Sequence, residues 1–79
     1  MDRETVRSEL QGVFRDLFAD ESIELSERSS AADIQGWDSL NNVRILVMVE
    51  KTFSIRFSSS EITGLANIRE LINVILRKQ

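Results

Sequence analysis

An all-α fold is predicted for these 79 residues by three observations. Proline is absent and glycine occurs only at positions 12, 36 and 64, a composition that suits long helices better than many short strands joined by tight turns. Apolar residues recur at three- and four-residue spacing from Val6 to Phe18, from Leu40 to Phe53 and from Ile68 to Ile75, the spacing of one helix face. Cysteine and histidine are both missing, so neither a disulfide nor a tight zinc site can brace the chain. Stability must come from packing, and 42% hydrophobic content is enough for one small domain over residues 1–79.

The first helix is predicted over Glu4 to Phe18, with Val6, Leu10, Val13, Phe14, Leu17 and Phe18 on its core face and Asp2 as N-cap. Gly12 inside it costs up to about 1 kcal/mol relative to alanine, and close packing against another helix accounts for it. Residues 19–38 lack sustained periodicity and read as a long, ordered surface loop pinned through Ile23, Leu25 and Ile34. A loop of that length in so small a chain is usually functional.

The second helix opens at Asp38 or Ser39, either of which can cap it. Its stretch 45–49 is apolar all round, which also suits a buried strand. Length and flanks decide for a helix, with Leu40, Val43, Leu46 and Val47 as its stripe and a central, most buried place in the fold. Met48 and Val47 are assigned to the core, and Trp37 to packing at the end of the loop. Ser54-Ile55-Arg56-Phe57 alternates like a strand but finds no partner, and is read as an extended connector. Ser58 and Glu61 form a capping box for a short third helix that Gly64 ends. Asn67 caps the fourth, whose core face is Ile68, Leu71, Ile72, Val74 and Ile75, and whose end carries Arg77 and Lys78.

Net charge is −3, unevenly spread. Residues 20–38 hold six acids against Arg28, while residues 39–79 hold six bases against three acids. Neither segment has the dense Lys/Arg clustering of a nucleic-acid surface. No apolar run approaches bilayer length and Met1-Asp2-Arg3-Glu4 is no secretory signal, which predicts a soluble, cytoplasmic protein with no membrane partner.

Chemistry concentrates at Gly36-Trp37-Asp38-Ser39-Leu40. A glycine turn runs into one hydroxyl above the first turn of a helix, where unpaired N–H groups and the positive dipole end favour an anionic group. Serine is a poor nucleophile without a base to take its proton. With no histidine, and Asp38 a weak base, Ser39 is no self-activated nucleophile, and any modification of it needs another enzyme's machinery. An autonomous enzyme is excluded on the same ground, since no paired acids surround a nucleophile.

Across nearly the whole chain these residues resemble the acyl carrier protein family, the phosphopantetheine-binding carriers. The likeness rests on Asp38-Ser39-Leu40 followed at fixed distances by Val43, Glu50, Phe53, Ile55 and Phe57. It implies a small four-helix bundle with a long loop between helices 1 and 2 and a short third helix. It implies too that Ser39 carries 4′-phosphopantetheine, added from coenzyme A by a phosphopantetheinyl transferase. Asp38 then supports the metal ion of that transferase complex, and the free protein holds none. The thiol of the arm carries an acyl or aminoacyl group as a thioester, so the reactive sulfur arrives with the cofactor.

The implied partners are that transferase, an acyl-loading ligase or transferase and downstream acyl-processing enzymes of a fatty-acid, polyketide, peptide or other specialised pathway, met by a monomer. Leu40, Val43, Arg44 and Arg56 stand near the implied docking face, although Arg44 and Arg56 also read as plain solvated charges. Fatty-acid carriers commonly show an acidic second helix, whereas Glu50 is the only acid between 39 and 57 here. That departure and the Trp37-Asp38-Ser39-Leu40 form resemble stand-alone carriers of specialised pathways. The alternative is an unmodified helical interaction module of the same fold.

Overall fold

Side-chain oxygens at four N-caps set where the helices begin. In the computed structural model, which describes residues 1–79, α1 spans Arg3–Phe18, α2 Ser39–Phe53, α3 Ser59–Gly64 and α4 Ile68–Lys78. Asp2 Oδ1 accepts from Thr5 N–H at 2.8 Å and Asn67 Oδ1 from Glu70 N–H at 2.8 Å. Asp38 Oδ1 accepts from Asn41 N–H at 2.8 Å, which settles the cap of α2 on Asp38 and makes Ser39 the first helical residue. The predicted capping box is present, with Ser58 Oγ accepting from Glu61 N–H at 3.3 Å and Glu61 Oε1 from Ser58 N–H at 2.8 Å. Each such cap is worth roughly 1 kcal/mol.

α1 packs against both α2 and α4, and α2 against α3. The core holds 18 buried residues, all apolar, and no buried side-chain polar atom lacks a partner. Val6, Leu10, Val13 and Phe14 of α1 face Ile45, Leu46, Val49 and Phe53 of α2 and the predicted five residues of α4. The chain is therefore all-helical, as its periodicity predicts.

The outer stripe of α2 differs from the prediction. Leu40, Val43 and Val47 are 67, 47 and 43% exposed, and of the predicted stripe only Leu46 is buried. The reason is geometric: positions 40, 43 and 47 share one face, and Ile45, Leu46, Val49 and Phe53 turn the opposite face to the core. Because the helix is apolar nearly all round, periodicity alone could not tell the faces apart. α4, with five buried residues in eleven, is the more deeply embedded helix. Met48 does pack on the core, whereas Val47 does not. A Cβ added at Gly12 would meet nothing within 4 Å, so no close helix contact explains that glycine. Gly64 is the last residue of α3 rather than a left-handed stop, and Leu65 follows it in extended conformation.

The loop 19–38 is held by polar residues of α1 spaced four apart. Arg15 Nε donates to Ile23 C=O at 2.7 Å, Arg7 Nη1 to Leu25 C=O at 3.0 Å, and Gln11 Oε1 accepts from Leu25 N–H at 2.9 Å. Farther on, Ser30 bridges Asn67, with Ala31 N–H donating to Ala66 C=O and Ile68 N–H to Ser29 C=O, both at 2.9 Å. These bonds satisfy loop backbone groups that would otherwise stay unpaired near the core.

α1 and α2 both end on left-handed residues that carry a side chain, Ala19 at φ 50° and Ser54 at φ 56°. Asp20 N–H wraps back to Arg15 C=O at 3.0 Å and Ile55 N–H to Glu50 C=O at 3.1 Å. Glycine takes this conformation without steric cost. Ala19→Gly and Ser54→Gly should each stabilise the fold by up to about 1 kcal/mol, visible as a rise in Tm of several degrees. An unchanged or lower Tm in both would refute the strain.

Acid should undo the fold in a definite window. Hydrogen bonding to Ser58 N–H, and then Lys78, holds the Glu61 carboxyl below its ordinary 4.5; Arg3 does the same for Glu27. Depressed carboxylates contribute stability above their unfolded pKa and lose it as pH falls through the folded one. Urea midpoints should be level above about pH 5 and drop below about 4.5, with a shallower drop in Glu61→Gln.

Candidate functional site

Trp37 is the residue that fixes Ser39. Its ring lies buried, edge-on to Phe14 of α1, with centroids 5.0 Å apart and planes at 76°. Its Nε1 donates to Asn42 Oδ1 at 2.8 Å, and Asn42 Nδ2 donates to Ile62 C=O of α3 at 3.1 Å. One indole thus ties the start of α2 to α1 and, through Asn42, to α3. Just before it, Gly36 sits at φ +92°, and a Cβ there would come within 3.2 Å of Phe18 Cε1. That position favours glycine for its left-handed conformation, and a Cβ would in addition press on the Phe18 ring. Asn41 Nδ2 closes the turn by donating to Gly36 C=O at 2.7 Å.

Ser39 projects from this braced corner into solvent. Its hydroxyl makes no hydrogen bond within the chain, and the neighbouring Asp38 is spent on Asn41 N–H through Oδ1 alone. Asn42 N–H pairs with Asp38 C=O at 2.8 Å, which leaves the amides of Ser39 and Leu40 as the open donors of the helix end. Two shallow clefts flank the hydroxyl. One, of about 270 Å³, is lined by Ala31, Trp37, Asp38, Ser39, Asn42, Thr63 and Ala66. The other, of about 220 Å³, lies between Ser39, Asn42, Val43, Ile62 and Thr63. Asp38 is the one ionisable side chain lining either cleft, and one of its oxygens is taken by the helix cap.

This corner suits a phosphodiester: an accessible, unpaired hydroxyl, open amide donors, and room on both sides for a polar chain. The family model for phosphopantetheine attachment sites matches residues 8–75. The chain belongs to the phosphopantetheine-binding acyl carrier protein family. The acyl carrier protein of Coprothermobacter proteolyticus is 25% identical over 75 residues, covering 95% of this chain and 92% of that one. The holo acyl carrier protein of Geobacter metallireducens, solved by NMR, superposes with a TM-score of 0.83 at 34% identity, over 92% of this chain and 84% of the other. The prosthetic group of the family is 4′-phosphopantetheine, and its members are carriers rather than enzymes.

The other residues singled out in this carrier's sequence fall in two groups. Glu50, Phe53, Ile55 and Phe57 are structural. Phe53, Ile55 and Phe57 are buried, and Glu50 Oε2 accepts from Phe57 N–H at 2.8 Å, which clasps the connector to α2. Leu40, Val43 and Arg44 lie exposed on α2 and Arg56 exposed on the connector. Sequence reasoning missed Asn42 altogether, because a polar residue in a helix gives no sign of the bonds it makes to a preceding indole and to a carbonyl 20 residues on.

Asn42→Ala should leave Trp37 Nε1 and Ile62 C=O unpaired and cost about 1–3 kcal/mol. Amides of α3 should exchange faster with solvent deuterium. Protection in α3 equal to the parent's would show that Asn42 does not hold that helix.

Proposed function

We propose that Ser39 is the attachment point of the 4′-phosphopantetheine arm and that the domain, residues 1–79, carries acyl or aminoacyl thioesters between partner enzymes. In the transfer, Ser39 Oγ forms a bond to the pantetheine-side phosphorus of coenzyme A and the diphosphate bond breaks. Adenosine 3′,5′-bisphosphate leaves, and the serine proton passes to a base of the transferase, since the one ionisable group beside Ser39 in this chain is the weakly basic Asp38. The attached arm then supplies the thiol on which cargo is held.

The observation that carries the reading is the isolation of the hydroxyl. Ser39 is exposed, caps nothing and bonds to nothing, while Asp38 performs the capping. Serine at the first helical position therefore has no evident structural duty, which counts against an unmodified interaction module. Asp38 has two duties that can be told apart, its cap through Oδ1 and support of the transferase's metal through its remaining oxygen.

Leu40, Val43, Arg44 and Arg56 are the docking residues of this reading, beside the attachment point. We assign the carrier to a specialised pathway with its own loading ligase or transferase, acting as a cytoplasmic monomer. The support is the scarcity of acids along α2 and its connector, where Glu50 is the only one and is already bonded to Phe57 N–H.

Incubation with coenzyme A, magnesium and a broad-specificity phosphopantetheinyl transferase should add one phosphopantetheine by intact mass. Ser39→Ala should abolish the gain with no loss of stability. Asn is as good an N-cap as Asp, so Asp38→Asn should keep the Tm while modification slows at least about tenfold, the loss of one transition-state charge contact. Mass gain in Ser39→Ala, or none in the parent, would overturn the assignment.

A further inference from the structure

The cations of this chain divide sharply. Arg3, Arg7, Arg69, Arg77 and Lys78 form the molecule's ion pairs, with Glu27, Glu4 and Glu61, and Arg15 is spent on a loop carbonyl. Arg28, Arg44, Lys51 and Arg56 make neither an ion pair nor a side-chain hydrogen bond, and all four are exposed; Arg28 stands apart on the loop, whereas the other three gather on and beside α2. Arg44 and Lys51 lie on the outward face of α2 among the exposed Leu40, Val43 and Val47. Arg56 flanks the far end of that face, where Val47, Lys51, Ser54, Ile55 and Arg56 border a recess of about 520 Å³. The one carboxylate in the recess, Glu50, accepts from Phe57 N–H and lies at the edge of the face.

An apolar stripe interleaved with unpaired cations therefore begins beside Ser39 and runs the length of α2. Unpaired exposed cations cost a monomer nothing, since water solvates them. Clustered on one face, they can pair with a surface of opposite sign, speeding encounter and fixing register. We infer that the enzymes which modify or load Ser39 meet this helix with a carboxylate-bearing rim around an apolar recess, the rim pairing Arg44, Lys51 and Arg56 and the recess taking Leu40, Val43 and Val47. This rests on the carrier reading above and names its partner's chemistry. Apolar contact sets the strength of docking and charge sets the choice of partner.

Two phosphopantetheinyl transferases serve as probes, one with carboxylates ringing its coenzyme A cleft and one with Arg and Lys there. Initial rates of mass gain are measured for the parent, for the triple variant Arg44→Glu, Lys51→Glu, Arg56→Glu, and for Leu40→Ser. Circular dichroism checks that each is folded. The parent should react with the higher kcat/KM on the acid-ringed enzyme, and added salt should slow that reaction. The triple variant should lose about tenfold or more there and gain on the base-ringed enzyme, while Leu40→Ser should slow both. Modification at rates indifferent to the charge series would overturn the acidic partner and leave the carrier standing. Failure of the parent to gain mass with either enzyme would remove both. Concentration-dependent dimerisation of the parent, lost in the triple variant, would overturn the inference in favour of a second copy of the chain, whose loop presents Asp20, Glu21 and Glu24.

Discussion

The indole of Trp37 is the joint on which the carrier's geometry turns. A serine at the head of a helix is only as well placed as the helix start, and helix ends fray unless anchored. Here the residue two before Ser39 is locked on three sides, by Phe14 at 5.0 Å, by Asn42 through its N–H, and by the tight turn at Gly36. Aromatic packing of this kind adds about 0.5–1.5 kcal/mol beyond area burial. The bond to Asn42 passes the restraint to α3 through Ile62 C=O. The corner is therefore rigid because three separate pieces of chain converge on one side chain.

Local chemistry made much of this legible in the sequence. Caps are decided within three residues, so Asp2, the Ser58–Glu61 box and Asn67 were all readable, and so was the core face of α4, whose apolar residues fall on one side only. The tripeptide Asp38-Ser39-Leu40 marked the corner for the same reason. What escaped notice depends on distance or on ambiguity. The face α2 turns to the core is chosen by what α1 offers, and an all-round apolar stretch gives periodicity nothing to choose between. The clamps from Arg7, Gln11 and Arg15 to the loop join residues 8 to 18 apart, and no pattern in either partner announces them.

The two faces of α2 answer different demands. The inner face holds Ile45, Leu46, Val49 and Phe53 in a core without a single buried charge. The outer face lies outside that core, with Leu40 two-thirds exposed and Val43 and Val47 nearly half exposed. It keeps three large apolar side chains in water, in a chain whose only other exposed large apolar residue is Met1. Scattered exposed apolar residues are ordinary on a monomer. Three on one helical face, contiguous with Ser39, are a patch.

Rigidity at the corner and bareness along the helix belong together. A flexible arm with a terminal thiol explores a wide volume, so the protein cannot aim the cargo by itself. With the arm on Ser39, as proposed above, aim has to come from docking, in which a partner seats on a fixed surface at a fixed distance from that residue. Ordering that surface beforehand lowers the entropic cost of each encounter. The Trp37–Asn42–Ile62 chain of contacts does this ordering from inside, and it leaves the outer face of α2 free of internal bonds. A carrier that visits several enzymes in turn must also let each one go, which favours a modest patch of apolar side chains and exposed charges over a deep interlock. Such pairs form fast and are screened by salt. The chain thus keeps its strong contacts for holding one hydroxyl in place, and in the docking proposed above it presents weak, wet ones to its partners.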